Sequence, residues 1–76
     1  MTAELLNRAL GKSFRSLRTK KNLSLVEMHK RSGLTNTQDL RLERGESNPQ
    51  WVTVVKALKG LKSTLRDLEK ELKEHL

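Results

Sequence analysis

Residues 33–49 read GLTNTQDLRLERGESNP. Gly33 stops whatever helix comes before it, and Thr35 can cap a new one, because its hydroxyl accepts a hydrogen bond from the first turn of backbone N–H groups. Gly45 ends that helix, so the helical stretch is TNTQDLRLER, and the ESNPQ that follows is a polar turn holding the only proline. The helix is well bounded and it raises a problem. Asp39 falls where an apolar side chain should turn inward, and a carboxylate there needs a partner.

Outward from this stretch the chain resolves into helices. Upstream, Ser24 and Glu27 form an S-x-x-E capping box that opens a short helix ending at Gly33. Before it, Leu6, Leu10, Phe14 and Leu17 recur at helical spacing and predict an amphipathic first helix, with Arg8, Lys12 and Arg15 largely off the apolar stripe. Thr2 caps its start. Its end lies near TKKN, where Asn22 can adopt the left-handed conformation and Leu23 returns to the core. Downstream, Trp51, Val54, Val55, Leu58 and Leu61 supply the buried face of a fourth helix, with Trp51 expected in the core or at its edge. The VTVV run is β-branched, but its apolar neighbours keep helical spacing. Gly60 weakens that helix by about 1 kcal/mol relative to alanine and predicts an early, frayed end. Thr64 and Asp67 box a fifth helix, residues 64–76, in which Leu65 and Leu68 close the core. The expectation is one all-α domain of five helices spanning residues 1–76, a size that buries about 60% of its unfolded surface.

Composition narrows the functions. There is no cysteine, and the two histidines lie far apart in sequence, so neither disulfides nor a metal site is expected. No nucleotide loop or activated nucleophile is present, which argues against an enzyme and against a cofactor. The MTAELLNRALGKSF start has no long apolar run after a basic opening, and no stretch approaches a membrane span, so a cytoplasmic protein is the default expectation. Lysine and arginine number sixteen against nine acidic residues, for a net charge of +7. The excess lies in residues 1–63, at +8, while residues 64–76 carry −1. Such a body attracts phosphate backbones; a solvated lysine-rich surface is the plainer alternative.

The order LGKSFRSLRTKKNLS, VEMHKRSGLT, LERGESNP and WVTVVKALKGLKSTLRDL resembles the helix-turn-helix domain of the lambda-repressor and Cro type, also called the xenobiotic-response-element type. The resemblance covers roughly residues 9–69. It implies a lambda-repressor-like fold of five helices, a third helix laid in the DNA major groove, and a two-fold dimer on a palindromic operator. On the matching positions, the helix-turn-helix motif is about 24–44. Asn36, Thr37, Gln38 and Arg41 would contact bases, through chemistry suited to adenine for asparagine and guanine for arginine. Arg44, the Gly45 amide, Ser47 and Asn48 would face phosphates, with Arg15, Lys20 and Lys21 adding charge. Arg18 and Glu43 match an internal ion pair tying the first helix to the end of the third.

The chain departs from that family pattern at three places. Leu25 stands where the family commonly has a glutamine that braces a phosphate, His29 where it has a small residue, and Asp39 where it has an inward isoleucine or valine. Because the last two positions face each other across a helix crossing in the family's fold, His29 and Asp39 are expected to form a hydrogen-bonded pair. The rival reading rotates the third helix so that Leu40 points inward.

In the fifth helix Leu72 and Leu76 continue the apolar stripe past the residues this domain can cover, which predicts a homodimer through the C-terminal helix; an exposed, frayed terminal helix is the plainer alternative. Together these readings predict a double-stranded DNA-binding transcriptional regulator, expected to repress. The alternative is a protein-interaction module on the same scaffold, such as an antitoxin or regulatory partner, with weak or no DNA binding.

Overall fold

The computed structural model describes residues 2–46 and 48–76. It contains α1 (Ala3–Lys20), α2 (Leu25–Ser32), α3 (Asn36–Arg44), α4 (Trp51–Leu61) and α5 (Leu65–His75), with no strand among the described residues. Among the described residues no helix is long and apolar enough to cross a membrane.

Local chemistry sets the boundaries. Thr2, Ser24, Thr35 and Thr64 each accept a hydrogen bond from the backbone N–H three residues on, and the Thr35 and Thr64 N–H groups donate in return to the Gln38 and Asp67 side-chain oxygens, completing two capping boxes. Gly33 and Gly45 close α2 and α3 in the left-handed conformation, and Asn22 takes it in the turn after α1. Between these ends Phe14, Leu17, Leu23, Met28, Leu34, Leu42, Val54, Ala57, Leu58, Leu61 and Leu68 form one core, with Leu10 packed against it.

The buried faces are rotated from those read in the large apolar residues. Leu6, Val55 and Leu65 are exposed, and Trp51 is 62% exposed at the start of α4. Small residues take the inward places instead: Ala9, Gly11 and Ser13 in α1, and Ala57 and Gly60 in α4. Gly60 is no frayed end, because α4 continues to Leu61 and a Cβ on Gly60 would meet the Ser32 Cβ at 2.8 Å. It is where α4 presses against α2. Gly11 plays the same part between α1 and α3, where an added Cβ would stand 2.5 Å from the Glu43 carbonyl oxygen and 2.6 Å from that of Leu42. The third helix is thereby seated by its C-terminal backbone directly on the first. Lys20 and Glu71 pair between α1 and α5, a contact that holds the Glu71 carboxyl below its ordinary pKa.

Gly11→Ala therefore tests the seating of α3. Helix propensity alone favours the alanine by about 1 kcal/mol, but the clash is with backbone that has nowhere to move, and overpacking of this kind costs about 1 to 3 kcal/mol. Urea unfolding is expected to show a net loss of stability. A gain would mean that α1 and α3 are further apart than described.

Candidate functional site

α3 presents two unlike faces. Asp39 and Leu42 point into the protein, whereas Asn36, Thr37, Gln38, Leu40, Arg41 and Arg44 are exposed. Leu40 is 36% exposed and Asp39 only 2%, so the rotated register that would bury Leu40 does not occur. The four residues matched to base contact, Asn36, Thr37, Gln38 and Arg41, thus share the outer surface of one helix, although Gln38 uses its side-chain oxygen on the Thr35 N–H. Beside Gln38 and Arg41 a recess runs toward the start of α4, lined also by Leu42, Asn48, Pro49, Gln50 and Thr53. Gln50 and Thr53 were not singled out from the sequence. They face this recess because α4 starts alongside α3, and their side chains carry no motif that reports it.

The cations matched to phosphate contact separate into two groups. Arg15 and Arg44 are exposed, Arg44 with Nη1 3.6 Å from Glu46 Oε1. Lys20 is paired with Glu71, and Lys21 donates through Nζ to the Leu61 and Lys62 carbonyls at the end of α4. Both lysines thus bridge α1 to α4 and α5 while remaining exposed. The Gly45 amide is also committed, because its N–H donates to the Leu42 carbonyl at 3.2 Å and closes α3. Asn48 accepts a hydrogen bond from the Asn7 side chain, and Ser47 lies outside the described residues.

Behind the outer face, Arg18 forks onto Glu43, with Nε 2.7 Å from Oε2 and Nη2 3.0 Å from Oε1, while Nη1 donates to the Leu23 carbonyl at 2.8 Å. This bidentate, largely buried pair fixes the end of α3 to α1 and to the turn that enters α2.

His29 and Asp39 do not form the expected hydrogen bond. The His29 ring donates through Nδ1 to the Leu34 carbonyl, within the turn between α2 and α3, and neither Asp39 oxygen has a hydrogen-bond partner among the described residues. Burial pushes the Asp39 carboxyl up to about 6; Glu43 reinforces the rise, and His29 and Arg18 oppose it. The histidine thus lies near the carboxyl across the crossing without a hydrogen bond to it.

The consequence for stability has a definite sign. The Asp39 pKa is raised on folding from 3.8 to about 6, so the folded protein holds this proton more tightly. Its contribution is fully present below the lower value and is lost as pH rises through the upper one. Asp39→Asn cannot titrate. Relative to wild type, it is expected to gain about 2 to 3 kcal/mol as pH rises from 4 to 7, measured by urea unfolding at each pH. A constant difference between the two proteins would contradict a buried, unpartnered carboxylate.

No protein-family model matches the sequence, and no curated protein matches it. Solved structures do. The restriction-modification controller protein C.AhdI from Aeromonas hydrophila is 33% identical, with 88% of this chain aligned to 98% of that one at a TM-score of 0.77. The clp gene regulator ClgR from Corynebacterium glutamicum is 26% identical over 91% of this chain and 90% of its own, at 0.83. The controller protein C.Esp1396I, 18% identical over 92% and 91%, shares the fold at 0.85.

Proposed function

Because the chain belongs to the lambda-repressor and Cro-type family of helix-turn-helix regulators, we propose that it binds double-stranded DNA sequence-specifically and represses transcription, with α3 in the major groove. The observation that carries this reading is the outer face of α3. There Asn36, Thr37 and Arg41 stand exposed together, while the opposite face is anchored by Leu42 and by the Arg18–Glu43 fork. Arginine and asparagine on a rigid exposed helix match the edge groups of guanine and adenine. Arg15 and Arg44, with Gln50 and Thr53 at the start of α4, are the groups available to hold the phosphates on either side.

The active unit in this proposal is a homodimer formed through α5. Support comes from the apolar surface the domain leaves uncovered: Leu76 is exposed, and Leu72 lines a groove with Leu6, Leu10, Pro49, Trp51 and Val54. A second copy seated there would also cover Trp51, which accounts for a large aromatic side chain outside the core. Two α3 helices related by a two-fold axis would meet half-sites about one helical turn apart.

One observation favours a protein-interaction module instead: the exposed Leu40 beside the partly exposed Leu25. Selection of bound duplexes from a random pool separates the two readings. DNA reading by a dimer is expected to enrich an inverted repeat, with affinity falling steeply between low and moderate salt. Arg41→Ala should then weaken binding by about 1 to 3 kcal/mol and relax preference at one base pair per half-site. Failure to retain any duplex in dilute buffer would leave the protein-interaction reading standing.

A further inference from the structure

We propose that Leu40 is a specificity-determining residue that receives the C5-methyl group of a pyrimidine in the major groove. The inference rests on the DNA-reading role given above and adds to it a contact with a different chemistry. On α3 the exposed side chains Asn36, Thr37, Gln38, Arg41 and Arg44 are all polar, and Leu40 is the one apolar group among them. It is absent from the hydrophobic core, where Leu42 and Leu34 do the packing.

Helical geometry places it within the reading footprint. Residues four apart lie on one stripe of a helix, so Leu40 is one turn beyond Asn36 and one turn before Arg44. Thr37 and Arg41 form the adjacent stripe. If Asn36 and Arg41 reach base edges, Leu40 stands between their turns and faces the same groove.

Its surroundings fit a duplex. Leu40 shares a shallow recess with Leu25, Arg15, Arg18, Glu43 and Arg44. Arg18 and Glu43 satisfy each other there, which leaves an apolar floor of Leu25 and Leu40 flanked by the exposed Arg15 and Arg44. Cationic flanks suit phosphates. In the major groove the pyrimidine methyl, carried by thymine, is the apolar feature that such a floor can read. 5-Methylcytosine carries the same group in the same place.

The test uses the selected operator and replaces each thymine in turn with deoxyuridine, which removes only the methyl. At one position per half-site, wild type is expected to bind the deoxyuridine duplex about three- to tenfold more weakly, the worth of roughly one buried methyl group. Leu40→Ala should bind the two duplexes within about twofold of each other. If thymine is not the source at that position, 5-methylcytosine should bind better than cytosine by a similar factor. Sequence-selective binding indifferent to the methyl everywhere would overturn the inference and leave DNA reading intact. So would a methyl preference that persists unchanged in Leu40→Ala. Loss of Leu40 that spares duplex binding while abolishing capture of an acidic peptide would assign the recess to a protein, and absence of all duplex binding would overturn both proposals.

Discussion

Arg18 is gripped on three sides: two of its nitrogens meet the Glu43 carboxylate and the third meets the Leu23 carbonyl. One side chain thus joins the last turn of α1, the turn entering α2 and the last turn of α3. The planar guanidinium is suited to this, because its donors are fixed in a fork that a lysine could not reproduce. A pair buried to this degree adds little net stability against an apolar replacement, yet losing one partner leaves a stranded charge. Its value lies in direction. α3 has only nine residues and a single buried leucine, so without the fork little would fix which of its faces looks outward.

The seating of α3 also depends on residues that carry no hydrophobic signal. Gly11 allows the α1 backbone to lie against the Leu42 and Glu43 carbonyls, and Gly60 does the same for α4 against Ser32. The helix boundaries were legible in the sequence because capping is local chemistry: a hydroxyl and an N–H three residues apart, or a glycine with a left-handed turn to make, interact wherever the rest of the chain goes. Which face of each helix is buried was less legible. Periodicity counts large apolar side chains, whereas close crossings select small ones, so Ala9, Ser13 and Ala57 displaced Leu6, Trp51 and Val55 from the positions the pattern assigned to them.

The same division applies to the site. Exposure of Asn36, Thr37 and Arg41 was readable because the resemblance already named the inward side of α3 and the Arg18–Glu43 pair that holds it. The intramolecular partners of Lys20 and Lys21 were hidden because Glu71 and the end of α4 are 51 and about 40 residues away. His29 and Asp39 form an intermediate case. Proximity across the crossing was readable from the resemblance, but hydrogen bonding was not, since the Leu34 carbonyl in the intervening turn takes the ring N–H first.

Two lysines engaged in packing change the meaning of the net charge. A formal +7 suggests a uniformly cationic surface, yet part of it stabilises the protein itself: Lys20 neutralises a buried glutamate, and Lys21 sits at the carbonyl-rich end of α4, where a cation complements the helix dipole. Beside α3, the exposed Arg15, Arg41 and Arg44 carry charge that a partner can meet. At long range the whole excess still draws in a polyanion, because steering depends on the summed field. That attraction carries no sequence information, so discrimination falls to the geometry of the side chains that meet base edges. An aliphatic side chain exposed among them is then informative: it adds no attraction for phosphate, so a direct effect on duplex binding would report the shape and chemistry of the base edges.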